Sequence, residues 1–281
     1  MKTFKIWFCD FWSNFNPQYF IDALIKNGVN VEITQNNPDI VFYSVFGNEN
    51  SRYNCKKILF TGETRKSGNY SLSLSFDEDS STNIRLPLWA FYIDWVNQGY
   101  NENKNPAYLI PQNNLVSPIN IPKTKFCNFI YNNNSGPRCE FNKLLSQYKL
   151  VDNLGHLLNN TTVLGGNEKH KIEAQSAYKF TISFENTYYN GYVTEKILHP
   201  FSVKSIPIYW GSDKVLSDFN PKAFIYANKY KNFEELVEYI KIVDSDNSIY
   251  TRYLYEPCFI DNTIPQQYSP INIGKRILEI L

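Results

Sequence analysis

The chain has 281 residues, 43% of them hydrophobic and 20% charged; this is the balance of a soluble globular protein long enough for two modest domains. The formal net charge is +1 with Lys and Arg dispersed, so no global field draws nucleic acid or an anionic membrane, and nucleic-acid binding is excluded as the main role. Five scattered cysteines without a C-x-x-C pair, and only three histidines, assemble no zinc pattern; reduced thiols in a cytoplasm account for them.

Taken in order, Phe4 to Phe8 reads as a strand, Pro17 to Lys26 as a helix and Val29 to Ile33 as a second strand. Asp10 interrupts the apolar start, so no targeting or transmembrane segment is expected, and contact with a membrane would be peripheral at most. Ile40 to Phe46 and Lys57 to Thr61 are further apolar runs, and Tyr70 to Phe76 alternates as a strand does. Short strands alternating with helix predict an α/β domain with a largely parallel sheet. Residues 97 to 125 are rich in Asn and Pro, and Pro111 to Pro122 is the candidate linker. The expected division is residues 1–115, residues 116–264 and a terminal amphipathic helix in residues 265–281.

In the second domain, Phe126 to Tyr131 is the expected first strand and Glu140 to Tyr148 a helix, followed by a V-D-N-L-G run and a polar loop from Asn159 to His170. The chain is organised around Phe180 to Gly211. Phe180, Ile182 and Phe184 alternate; a loop rich in Asn, Tyr and Gly follows. Val193 to Val203 then has helical spacing, with Pro200 predicting a short or kinked helix, and Ser205 to Tyr209 closes the unit as a strand. In such a βαβ unit the first loop opens onto a helix N-terminus, where Glu195 suits the dipole and Lys196, with free N–H groups, could seat a phosphate. An ordinary βαβ unit with polar loops would have the same outline. Asn232 to Val243 reads as an Asn-capped helix.

Glu63 follows a strand and a glycine in Thr61-Gly62-Glu63, where a carboxylate can face the ligand crevice of an open sheet. Arg138, beside a Gly-Pro turn, offers the planar fork that grips a diphosphate. Asp77-Glu78-Asp79 and Asp244-Ser245-Asp246 resemble metal-holding patterns by spacing alone and are read as solvated acids. Aromatic residues reach 16%, with 21 Tyr and 20 Phe; beyond those that fill the core, some are expected to stack on sugar and base rings.

The run F-E-N…G-Y-V-T-E-K…P-I-Y-W-G, from Phe184 to Gly211, resembles the signature of the α-1,3/1,4-fucosyltransferases of glycosyltransferase family 10, especially the short bacterial members. The likeness is close from Arg138 to about Phe259. In the first domain it rests on Thr61-Gly62-Glu63, Phe76-Asp77 and Arg85-Leu86-Pro87; many relatives have Asn where this chain has Thr64. The resemblance implies a GT-B type α/β fold, two Rossmann-like domains facing across a cleft. It implies Glu63 as the catalytic base, and Arg138, Asn186, Tyr192, Glu195 and Lys196 as donor-binding residues. The implied reaction is inverting transfer of L-fucose from GDP-fucose to the 3-hydroxyl of GlcNAc, or of Glc, in an N-acetyllactosamine-like glycan, giving a Lewis-type product. No metal or other cofactor is obligatory on this reading, although a divalent metal could stimulate. Family members of the Golgi begin with an anchor; without one, a cytoplasmic enzyme is expected. A GT-B enzyme using another nucleotide sugar, and a non-catalytic nucleotide- or glycan-binding module, are the alternatives.

Overall fold

The computed structural model describes residues 2–13, 15–66, 68–97, 108–117 and 122–281. They form two compact units, one of residues 1–107 with 265–281 and the other of residues 108–264.

The first unit contains β1 (Thr3–Cys9), α1 (Gln18–Ile25), β2 (Asn30–Ile33), β3 (Ile40–Tyr43), β4 (Lys56–Phe60), β5 (Leu72–Ser75), β6 (Asn83–Arg85), α2 (Leu88–Phe91) and β7 (Ile93–Asp94). Six of these strands make one sheet in the order β2-β1-β3-β4-β5-β6, every pair parallel. Strands β3 and β5 are buried throughout, which is why Ile40 to Tyr43 is a continuous apolar run rather than an alternating one. The strand expected over Tyr70 to Phe76 is β5, and the unforeseen β6 ends on Arg85, the first residue of the Arg85-Leu86-Pro87 stretch.

The second unit contains β8 (Ile110–Pro111), α3 (Gln112–Val116), β9 (Lys125–Phe129), α4 (Arg138–Tyr148), β10 (Val151–Asn153), α5 (Glu168–Gln175), β11 (Tyr178–Phe184), α6 (Glu195–Ser202), β12 (Ile206–Trp210), α7 (Val215–Asp218), β13 (Ile225–Tyr226), α8 (Phe233–Ser245) and α9 (Asn247–Tyr255). Its parallel sheet runs β10-β9-β11-β12-β13. Phe180, Ile182 and Phe184 of β11 share a core with Phe141 of α4 and with Leu236 and Ile240 of α8. Asn232 caps α8, as its sequence predicts, by accepting from Glu235 N.

Three expectations need correction. The first half of the candidate linker is not a linker: α3 buries Leu115 completely, and the Cys258 thiol donates to the Leu115 carbonyl at 3.2 Å. Burial of one leucine outweighs a polar, Pro-rich composition, and the division falls after Ala107 rather than after residue 115. Residues 118–121 of that candidate lie outside the described residues. Second, the loop expected up to His170 already contains the start of α5, whose first turn is held by an Asn167–His170 capping box. The helix buries Ile172 and Gln175 only, so almost no apolar stripe betrays it. Third, the terminal helix α10 (Pro270–Ile280) is not a separate piece but part of the first unit. A Cβ on Gly274 would sit 1.9 Å from the Ala23 carbonyl oxygen of α1, so the two backbones touch where only glycine fits. Asn27 Nδ2 ties the contact by donating to the Ala23 and Ile271 carbonyls at 2.8 and 2.9 Å.

Candidate functional site

The second sheet is doubly wound. The chain passes from β9 outward to β10, then returns to β11 on the other side of β9. Loops after the two strands flanking such a reversal diverge and leave a crevice at their carboxyl ends. Arg138 enters from the segment after β9, and Glu185 to Lys196 follow β11.

Glu185 is the hub. Its carboxylate is fully buried and accepts from Thr194 N at 2.8 Å and from Thr194 Oγ1 at 3.0 and 2.9 Å. Lys196 Nζ donates to the same carboxylate at 3.2 Å. Thr194 is also the N-cap of α6, its hydroxyl accepting from Lys196 N, so one residue closes both the loop and the helix start. Space beside Glu185 is kept by Gly211, where an added Cβ would lie 2.8 Å from Glu185 Cγ and 2.6 Å from Tyr209 Oη.

Arg138 is almost completely buried at the first turn of α4. Its Nη1 donates to the Asn133 carbonyl at 3.2 Å; its Nη2 donates to the Glu185 carbonyl at 3.0 Å and to Asn186 Oδ1 at 2.7 Å. The guanidinium lies 4.1 Å from the Tyr131 ring centroid, a stacked cation–π contact. Tyr131 Oη in turn accepts from Phe184 N at 2.8 Å. Its Nη2 thus braces the loop that carries Asn186, while the buried Nε makes no hydrogen bond among the described residues.

The charges form a compensated group. Burial by itself would raise the Glu195 carboxyl, but Lys196, Lys171 and His199 outweigh it and hold it down at about 2. Burial would strip the proton from Lys196, yet Glu185 and Glu195 raise its pKa well above that of an ordinary lysine. Glu185 is pushed upward by burial, against Lys196. Burial also pulls His199 down to about 4, despite a Glu168 oxygen 3.4 Å from its Nδ1. A cleft of about 50 Å³ lies beside this group, lined by Tyr131, Ile182, Lys196 and, from α5, Lys171 and Gln175.

Arg138, Asn186, Glu195 and Lys196 therefore meet around Glu185. Tyr192 does not turn outward: it is buried, and its carbonyl lies 3.4 Å from Tyr209 Oη, which donates to it. Glu63 lies in the first unit, half-buried after β4, with its backbone N–H donating to Thr61 Oγ1 at 3.0 Å. Of the acids read as solvated, Glu78, Asp79 and Asp246 are exposed, and several make ion pairs or caps. Asp77 pairs with Lys66 at 2.6 Å and Asp79 with Arg276 at 2.8 Å. Asp244, its side chain buried, pairs with Lys179 at 2.5 Å, and Asp246 caps α9. No cluster of three or more metal-ligating side chains occurs among the described residues.

Residues 122–255 match the model of the glycosyltransferase family 10 (fucosyltransferase) C-terminal region, and residues 6–92 match that of the alpha-(1,3)-fucosyltransferase FucT N-terminal domain. The chain belongs to glycosyltransferase family 10. An alpha-(1,3)-fucosyltransferase FucT of Helicobacter pylori is 33% identical over 247 residues, covering 78% of this chain and 51% of its own length; the chain spans about half that relative. A crystal structure of alpha1,3-fucosyltransferase aligns with a TM-score of 0.72 at 27% identity, covering 99% of this chain and 89% of that one. One determined with GDP-fucose aligns at 0.69, again at 27% identity, covering 100% and 90%. The α/β fold is the GT-B type of these structures. Among the described residues of this family 10 chain, no helix is long and apolar enough to cross a membrane.

Glu185 stands within the F-E-N run, but the sequence alone assigns it no role. Its available signal was an acid directly after the alternating strand that ends on Phe184, a place where a buried carboxylate needs a partner. Tyr131, which aligns Arg138, carried no such mark.

Proposed function

We propose that this protein is an inverting α-1,3-fucosyltransferase. It would move L-fucose from GDP-fucose to the 3-hydroxyl of GlcNAc, or of Glc, in an N-acetyllactosamine-like glycan, giving a Lewis-type product. The observation that carries this reading is the convergence of Arg138 and Lys196 on the Glu185–Asn186 corner, at a sheet reversal and a helix start, within a family 10 chain. Two cations and a helix N-terminus suit a departing diphosphate. Lys196, at the cleft, and Arg138 are the cations assigned to the donor phosphates. Arg138 and Tyr131 keep Asn186 in place, and Glu195 is assigned to ribose or fucose hydroxyls.

Glu63 is assigned as the base. As the acceptor oxygen forms its bond to the fucose anomeric carbon, its proton passes to the Glu63 carboxylate. The bond from that carbon to the diphosphate breaks, and GDP leaves with the electron pair. Attack opposite the leaving group turns the β-linked donor into an α-linked product. Diphosphate charge is handled by side chains, so activity is expected to survive EDTA. Five unpaired cysteines fit the cytoplasm as its place of work.

The test is a mass-spectrometric transfer assay with several nucleotide sugars and with type-1, type-2 and lactose acceptors. Addition of one deoxyhexose from GDP-fucose alone supports the donor; addition of another sugar points to a GT-B enzyme with a different donor. Glu63→Gln should lower turnover by roughly a hundredfold or more with GDP affinity unchanged. Undiminished turnover in that variant removes Glu63 as the base.

A further inference from the structure

In the first unit, the same reversal of strand order falls between β1 and β3: the chain runs from β1 outward to β2 and returns on the other side. Cys9 of β1 pairs with Tyr43 of β3, and Tyr43 with Leu59 of β4. Trp12 lies three residues beyond Cys9, Phe46 three beyond Tyr43 and Glu63 four beyond Leu59. Parallel register thus brings all three to the carboxyl edge of adjacent strands, where ligands of doubly wound sheets bind.

Phe46 is unusual there. Its residue surface is 46% exposed, yet it is held from several sides. Trp12 meets it edge-on, centroids 6.1 Å apart at 79°. The Arg65 guanidinium lies 5.9 Å from its centroid and is anchored by an N–H donated to the Val45 carbonyl at 3.2 Å. Its own backbone N–H donates to the Asp10 carbonyl at 3.0 Å. The Asp10 carboxylate accepts from Glu49 N and Asn50 N just beyond, at 2.8 and 2.9 Å. A single exposed apolar side chain needs no explanation. An exposed ring whose loop is pinned and whose position is set by an indole and a guanidinium has already lost the freedom that binding would otherwise cost.

We propose that Phe46, flanked by Trp12 and Arg65, is the platform on which a pyranose ring of the neutral glycan acceptor stacks. The inference rests on the fucosyltransferase reading and names where its acceptor sits. A pyranose has a face of C–H bonds that packs on the electron-rich face of an aromatic ring, and a rim of hydroxyls that accept from a guanidinium fork. Glu63, two residues before Arg65, lies on the same sheet edge for the hydroxyl that reacts.

The test compares wild type with Phe46→Ala, Phe46→Trp and Arg65→Lys by transfer kinetics and by saturation-transfer NMR with N-acetyllactosamine as the probe. In Phe46→Ala the KM for acceptor should rise about tenfold, with the KM for GDP-fucose and the thermal midpoint unchanged. Phe46→Trp should restore most of the loss, which a merely structural role would not require. Arg65→Lys should raise the acceptor KM by a smaller factor. Saturation transfer to the sugar ring protons should be strong in wild type and lost in Phe46→Ala, even if no fucose is transferred; that pattern would fail the enzyme reading and keep the platform. An acceptor KM and an NMR signal untouched by Phe46→Ala overturn the platform while leaving the enzyme reading intact, and absence of saturation transfer in wild type overturns it too.

Discussion

Glu185 is buried out of reach of bulk solvent. A carboxylate out of contact with solvent is tolerated only when hydrogen bonds and a cation replace hydration. Here the replacements are the backbone and hydroxyl of Thr194 and the ammonium of Lys196. Removing the carboxylate leaves a poorly solvated lysine next to Glu195 alone and frees the loop between β11 and α6. Glu185→Ala should therefore cost about 3 kcal/mol of stability and weaken GDP binding. Thermal unfolding and GDP titration check this, and a variant as stable as wild type with normal GDP affinity would mean the carboxylate does not hold the entry to α6. Glu185→Gln should lose less, since its amide oxygen still accepts from Thr194 although the ion pair is gone.

At the scale of elements, α1 and α10 meet through a glycine rather than through interlocking side chains. Alanine is favoured over glycine inside a helix by about 1 kcal/mol. At position 274 that gain is overridden, because the new methyl group would be driven into the Ala23 carbonyl and the helices would have to part. Gly274→Ala should thus lower stability by about 1–3 kcal/mol; a stabilised variant would show that α10 can shift at little cost. The short helix α6 follows similar logic. Thr194 starts it with a side-chain cap, Pro200 lies inside it, and the left-handed Lys204 (φ 56°) turns the chain just beyond its end at Ser202; at eight residues it is about a turn short of the average helix.

For the molecule as a whole, acid sensitivity follows from a histidine on the inner side of α6. His199 titrates at about 4 in the folded protein against an ordinary 6.5, because burial disfavours the imidazolium. Between those values the unfolded chain binds a proton that the folded one refuses. The stability tied to this group is therefore fully present above pH 6.5 and lost as pH falls toward 4. Glu195, with its folded pKa lowered from 4.5 to about 2, adds a separate loss only below pH 4.5. Denaturant titrations from about pH 7 to about pH 5 should show falling stability in wild type and a flatter profile in His199→Phe. An unchanged slope would assign the acid sensitivity elsewhere.

The sequence by itself determined what depends on local pattern. Period-two and continuous apolar runs marked most of the strands, Asn232 marked a helix start, and fixed offsets from Phe184 to Gly211 marked the family. It also determined which residue types stand near the site, since Arg138, Glu195 and Lys196 lie beside glycines, strand ends and helix starts that can be read along the chain. Only the tertiary structure decided what those groups do to one another. Arg138 turns inward because the Phe184 and Glu185 carbonyls, at and just after the end of β11 and distant in sequence, accept from its Nη2; Glu185 becomes the hub because burial, which no single stretch reveals, makes a carboxylate demand partners. The role of α10 was hidden for the same reason: its amphipathic face was legible, but Gly274 reports a close approach only once Ala23, some 250 residues earlier, is beside it. Local propensity is written in neighbours along the chain, whereas electrostatic compensation and close packing are properties of neighbours in space.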